Sequence, residues 1–201
     1  PTEQLRLGFY GLLLGLCGNA DDAAYLAGRI LPPTPPDQVR LGLDGMMAGY
    51  VLLSGEEGLQ TLIDRKLKSP GQPDGDIYAV INALRFLREF AGDEVPPAQI
   101  DAAMATLIER PAFAEVAIVD LARWGHWQIM DRIAAQYGKP PFDEPLARQK
   151  VIQFALACVK ADEKDADRTL PEAATARKFL EELQQSDPES LRNARRFFGG
   201  R

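Results

Sequence analysis

At 201 residues, with 46% hydrophobic and 26% charged side chains, the chain has the composition of a folded domain or a short repeat array, which excludes wholesale disorder. A net charge of −6, from 29 acidic against 23 basic residues, gives no general attraction to phosphate backbones or anionic lipid and leaves only a local basic face for such partners. A single histidine excludes a multi-histidine metal site, and no apolar run reaches the roughly 18 residues that a membrane span needs.

In chain order, the first element is "RLGFYGLLLG", Arg6 to Gly15, which returns 34 residues later as "RLGLDGMMAG", Arg40 to Gly49, with arginine, leucine and all three glycines in register. Arg6, the apolar run to Cys17 and the small residues after it mimic a secretion signal, but a cleaved address has no reason to recur inside a mature chain. The chain opens at Pro1 without Met and enters the apolar segment at once, so the expectation is a mature form or a piece of a longer chain whose own targeting signal is missing. Composition fixes no compartment. Cys17 and Cys158 lie in apolar helical patterns and are expected as buried thiols.

Gly8, Gly11 and Gly15 are spaced i, i+3, i+7, as are Gly42, Gly45 and Gly49, so each trio lies on one stripe of a helix. A helical glycine costs about 1 kcal/mol relative to alanine. The compensating gain predicted is close approach of two helix backbones, one copy against the other. Each copy leads through a turn into a second helix, "GNADDAAYLAGRIL" and "SGEEGLQTLIDRKL", with Asn19 and Asp22, and Ser54 and Glu57, spaced as capping boxes. The proline-rich stretches "LPPTPP" and "SPGQPDG" separate the units.

The same alternation continues less regularly. A third pair is "DIYAVINALRFLREFAG" and "PPAQIDAAMATLIER", with Ile100, Met104, Leu107 and Ile108 as an apolar stripe; a fourth is "AFAEVAIVDLARWG" and "HWQIMDRIAAQYG", with Trp127, Met130, Ile133 and Tyr137 near one face. A fifth is "PLARQKVIQFALACVKA" and "PEAATARKFLEEL". The loop between its helices lacks the oxygens and glycine of a calcium site at Asp162, Lys164 and Ala166, and Thr169 with Glu172 is spaced as a capping box. A last helix has Asp187 as cap and Pro188 at its first position, and carries Arg192, Arg195 and Arg196 beside Phe197 and Phe198, which are expected to dock.

Helical pairs at this period indicate an all-α repeat array. The apolar first helix ending in glycine and the acidic start of the second, in "GLCGNADDAAYL" and "YVLLSGEEGLQTL", resemble HEAT and armadillo-like repeats, while the tryptophan, glycine and tyrosine pattern of tetratricopeptide repeats is absent. The resemblance implies a right-handed α-α superhelix, a HEAT/ARM-like solenoid of about five helical hairpins plus a C-terminal helix. It would form a single domain over 1–201, with repeats near 5–31, 40–68, 76–110, 112–138 and 145–184 and a final helix at 187–198.

For function, the resemblance implies a non-catalytic protein–protein interaction scaffold or adaptor, binding a protein partner or other domains of the same longer chain, with no cofactor and no metal. The ridge of second helices, which is concave in such proteins, would meet the partner through Arg29, Asp64, Arg65, Asp131 and Arg132. The alternative is a HEAT-like nucleic-acid-binding or DNA-repair-type enzyme centred on "DLARWGHWQIMDR", where Trp124, His126 and Trp127 stand among Asp120, Arg123, Asp131 and Arg132. Against it stand the acidity of the chain and the lack of a basic stripe, so nucleic acid is not the expected partner. The simpler expectation has His126 at a turn, both indoles packed between repeats and the charges paired at the surface.

Overall fold

Two glycine stripes decide how the N-terminal helices of the computed structural model meet. It describes residues 2–35, 38–164 and 169–198, with side chains placed for 6–35, 38–164 and 169–196. Helix α1 (Thr2–Cys17) packs on α3 (Leu43–Leu62) backbone to backbone: a Cβ on Gly15 would stand 2.5 Å from the Cα of Gly49, and one on Gly11 2.6 Å from the Cα of Met46. A Cβ on Gly8 would meet the Cα of Gly42 at 3.0 Å. In the other direction, Gly45 and Gly49 aim at the carbonyl oxygens of Gly8 and Gly11. The register rises together along both helices, so the two copies run in the same direction and turn the same face to each other. Close Cα–H···O contacts of this kind contribute about 0.5–1 kcal/mol each, which offsets part of the glycine cost.

Between these helices the chain returns through α2 (Ala20–Ile30), which also packs on α3. Its start is capped as the spacing predicts, with the Asn19 side chain accepting from the Asp21 amide at 2.8 Å and the Asp22 carboxylate accepting from the Asn19 amide at 2.9 Å. The second expected turn is different. Gly55, at φ 57° and ψ −141°, is a one-residue joint inside α3 rather than a loop, and Ser54 makes no side-chain cap to it or beyond among the described residues. That backbone conformation is open only to glycine, which lets the helix resume at once. The second half of α3 ends in a π-helical turn, Ile63–Leu67.

The first unit, up to Thr106, is completed by α4 (Asp74–Phe90) against α3 and by α5 (Pro97–Ala105) against α4. Its core includes Met47, Val51, Leu59, Leu62, Ile77, Ile81, Leu84, Ile100 and Met104, all buried. The 3-10 turn Thr106–Glu109 carries Leu107 and Ile108, also buried as the stripe predicts.

The second unit, from Leu107, contains α6 (Pro111–Trp124), a 3-10 turn Trp127–Ile129, α7 (Met130–Gln136), α8 (Pro145–Lys164), α9 (Pro171–Ser186) and α10 (Pro188–Phe198). Helix α8 is central, touching α6, α7, α9 and α10, and α9 also touches α7 and α10. Asp187 caps α10 through the Ser190 amide at 3.2 Å and accepts from the Tyr137 hydroxyl at 2.8 Å. The start of α9 departs from expectation. Leu170, not Thr169, is its cap residue, and its amide is held by the Asp162 carboxylate of α8 at 2.7 Å, which also pairs with Arg177 at 2.5 Å. Asp162 thus ties the end of α8 to α9, a role no local spacing signals. The expectations on Ala166 and on the side chains of Phe197 and Phe198 lie outside the described residues.

All regular elements among the described residues are helical. No helix among them is long and apolar enough to cross a membrane.

The glycine contact makes a contrast between two alanine substitutions. Gly11→Ala drives a methyl into the α3 backbone and is expected to lose about 1–3 kcal/mol. Gly28→Ala, in α2 with nothing within 4 Å of the added methyl, is expected to gain about 0.5–1 kcal/mol from helix propensity. Urea unfolding of the two variants checks both signs.

Candidate functional site

Arg40, the arginine of the second glycine copy, is the centre of the most elaborate polar arrangement in the first unit. Its guanidinium donates to the Arg29 carbonyl at 2.6 Å, the Pro32 carbonyl at 2.7 Å and the Thr34 hydroxyl at 2.7 Å, and reaches the Asp76 carboxylate at 3.4 Å. Asp76, in the first turn of α4, also accepts from the Thr34 hydroxyl and from the Lys66 ammonium at 2.8 Å. Lys66 is fully buried and donates further to the Pro32 carbonyl at 3.2 Å and to Gln72 at 3.3 Å. Three carbonyl or amide oxygens and one carboxylate therefore fix the linker that leaves α2. The proline-rich segment, which the sequence marks only as a helix breaker, is anchored at Pro32 and Thr34.

Burial alone would push the Asp76 carboxyl up, but hydrogen bonds from Lys66 and Thr34 and the charges of Lys66 and Arg40 outweigh it and hold it below 3.8. Burial is the largest influence on Lys66 too and lowers its ammonium from 10.5, with Asp76 opposing that change. Two cations on one carboxylate leave the cluster with a surplus positive charge.

Above this cluster, α1, α2 and the linker enclose a groove of about 740 Å³. Leu7, Tyr25, Val39 and Leu41 form much of its apolar wall, with Arg29 and Arg40 as its charged groups. Val39 is 85% exposed. Arg29 lies over the Tyr25 ring, 5.2 Å from its centroid, a cation–π contact that holds the guanidinium at the rim. Beyond the groove, α1 leaves Phe9, Tyr10, Leu13 and Leu16 exposed on its outer side, Leu16 by 72%. Cys17 is exposed as well, not buried as its pattern predicts, because α1 presents that side to solvent.

Two shallower grooves lie between second helices of the first unit. One, of about 440 Å³, separates α2 from α3 between Ala27, Tyr50 and Glu57; another, of about 560 Å³, separates α3 from α5 between Gln60, Ile63 and Gln99.

The residues expected to bind a partner fall into separate groups. Arg29 is at the groove rim. Asp64 is exposed and occupied by Gln60 at 2.9 Å and Lys68 at 3.0 Å, which lower its carboxyl in that order, and Arg65 beside it is exposed. In the second unit, Gly125 in the left-handed conformation, at φ 74°, ends α6, and the His126 amide donates back to the Leu121 carbonyl at 3.0 Å, so the histidine is a turn residue. Trp127 is only 8% exposed and meets the Phe154 ring of α8 edge-on at 5.1 Å and 70°. Trp124 is half-buried, while Asp131 and Arg132 are exposed on α7. Asp120 is not a surface charge. It is fully buried, with Arg123 at 3.4 Å.

Among the described residues no three His, Cys, Asp or Glu side chains are placed to hold a metal ion. Cys158 is buried, and burial pushes its thiol up to about 11, so it is a poor nucleophile. Sequence reasoning misses the Arg40, Lys66, Asp76 and Thr34 cluster, whose members are 6 to 42 residues apart with no shared periodicity. The one available signal was Arg40 in the repeat. No family model, no curated protein and no solved structure matches the chain.

Removing either member of the buried pair is expected to be costly. Asp76→Asn should lose about 3 kcal/mol at neutral pH, since it strands the buried Lys66 ammonium, and Lys66→Met less, since Asp76 keeps Arg40 and the Thr34 hydroxyl. Because Asp76 has a lowered folded-state value, the stability it contributes is present above its unfolded value of 3.8 and is lost as pH falls through the folded value. Urea unfolding should therefore show the gap between wild type and Asp76→Asn narrowing below pH 3.8.

Proposed function

We propose that the chain is a HEAT/armadillo-like repeat protein acting as a non-catalytic protein-interaction scaffold. Within the first unit, the leading helices of successive pairs, α1, α3 and α4, lie side by side. In the second unit α6, α8 and α10 do the same, with α7 beside α9. This order of neighbours supports packing of helical pairs as repeats inside each unit.

The observation that carries the binding role is the apolar side of α1. Phe9, Tyr10, Leu13 and Leu16 form an exposed row at helical spacing on a helix whose opposite face is locked against α3. A row of this kind on a rigid helix suits a protein partner, with aromatic and leucine side chains supplying the anchoring contacts. The exposed second-helix residues Arg29, Asp64 and Arg65 in the first unit, and Asp131 and Arg132 in the second, would supply polar rim contacts. The nucleic-acid reading gains nothing from the geometry of Trp127. Its ring is buried against Phe154, so a base has no free face to stack on.

A photo-crosslinker placed at Leu16 tests the reading in cells that make the chain. A discrete crosslinked protein is expected, and its yield should fall about tenfold when Leu13→Asp is added, an exposed change that leaves the helical circular dichroism intact. An equal yield with and without Leu13→Asp, or no crosslinked protein, would contradict it.

A further inference from the structure

The groove between α2 and the joint of α3 is lined by three polar side chains that the fold itself leaves unused. Every residue lining it is described, and all belong to the first unit. One wall is the stripe of alanines on α2 from Ala20 to Ala27; Tyr50, Ser54 and Glu57 stand on the α3 side. Tyr50 is only 9% exposed, yet its hydroxyl makes no hydrogen bond among the described residues. The one buried side-chain polar atom without a partner among those residues is Arg148 Nε, so the Tyr50 hydroxyl is open to solvent, and the space that Tyr50 lines is this groove. Gly58 makes the room: a Cβ there would stand 2.7 Å from the Ser54 Cβ and 3.5 Å from both the Ser54 Oγ and the edge of the Tyr50 ring, so both side chains lie around one point. The Ser54 hydroxyl and the Glu57 carboxylate likewise have no hydrogen bond or ion pair among the described residues, whereas Glu56 beside them is taken by the Gln99 amide. Glu57 is the one charge among the lining residues, and Lys68, which lines the neighbouring groove with it, is engaged by Asp64 at 3.0 Å.

Resting on the scaffold reading, we propose that this groove binds a lysine side chain presented by a segment of a partner protein, with the ammonium on Glu57, Ser54 and Tyr50 and the methylene stem along Ala23 and Ala27. An ammonium has three N–H donors on a tetrahedral centre, one for the carboxylate and one for each hydroxyl, whereas a guanidinium fork needs paired acceptors in one plane. The alanine wall offers no polar side chain, which suits an aliphatic stem. From Ala20 to Ala27 the wall runs about 10 Å along the helix, at about 1.5 Å per residue, which is longer than one lysine stem and leaves room for the residues on either side. The volume of about 440 Å³ is also more than a free alkylamine would fill. Burial already holds the Tyr50 ring, so fixing that side chain adds little to the cost of binding. A phosphate-bearing partner is disfavoured, because Glu57 would face it with a like charge.

The test is a titration of the isotope-labelled chain, followed by amide chemical shifts, with the probe peptide acetyl-Ala-Leu-Lys-Leu-Ala-amide, its norleucine and arginine counterparts, and n-butylammonium chloride. Saturable shifts at Ala23, Ala27, Ser54 and Glu57 are expected with the lysine peptide, and affinity about tenfold weaker for the norleucine peptide, which keeps the stem and lacks the charge. Glu57→Gln should remove that difference, and Tyr50→Phe, which keeps the ring, should weaken the lysine peptide about threefold and leave the norleucine peptide unchanged. Equal affinity for the lysine and norleucine peptides on the unaltered chain, shifts confined to another face, or no shifts would each overturn the assignment. An arginine peptide that binds as tightly would overturn the ammonium geometry, and butylammonium as tight as the peptide would overturn the partner segment in favour of a free amine. Crosslinking through Leu16 that survives such a result would leave the scaffold reading standing without the groove; loss of that crosslinking with lysine-peptide binding intact would do the reverse.

Discussion

The first unit depends on one constraint, which is that α1 and α3 touch through their backbones. Where Gly8 meets Gly42 and Gly15 meets Gly49 no Cβ separates the backbones, and Gly11 leaves the space that Met46 occupies, so the approach depends on the glycines. The consequence reaches further than the pair itself. With its glycine face committed to α3, α1 has its large apolar residues Phe9, Tyr10, Leu13 and Leu16 left on the outside. Gly42, two residues after Arg40, also caps the start of α3 in the left-handed conformation, at φ 75°, so the contact fixes where that arginine leaves the linker. The exposed row and the arginine groove are thus both consequences of the same packing.

A repeat of two equal stripes would ordinarily suggest simple translation, with the downstream face of one helix meeting a different, upstream face of the next. Here Gly8 meets Gly42 and Gly15 meets Gly49, equivalent residues of the two copies, while Gly11 lies against Met46. The same letters are written twice because both partners in one contact need the same property, small size, at the same height. The degeneracy of later pairs has a related cause. Helices α4 and α8 meet their neighbours through ordinary side chains such as Ile77, Leu84, Val151 and Phe154, which many sequences could supply equally well, so no repeated lettering survives.

This division also explains what could be read from the letters. The glycine stripes, the Asn19 cap and the Asp187 cap are local and were visible, because each depends on residues within one or two turns. Ser54 and Thr169 were spaced like caps and do not act as caps, since Gly55 shortens one turn to a single residue and Asp162 reaches across to the other. Cys17 looked like core by its apolar neighbours, but the face of α1 that is committed to α3 is the glycine face, and Cys17 lies off it. The Lys66 and Asp76 pair was invisible because its cost of burial is met only in three dimensions, by groups from α3's continuation, α4 and the proline-rich linker together. Charged residues in a sequence carry no sign of which will be desolvated.

The central claim is most directly tested by measuring proton–proton contacts between the glycine α-carbons in solution. Nuclear Overhauser effects between the α-protons of Gly15 and Gly49, and of Gly8 and Gly42, are predicted to be strong, because the backbones stand too close for anything to lie between them. Their absence in a chain whose helices are intact would mean that α1 and α3 meet through side chains. The account of the exposed face and of the groove would then lose its foundation.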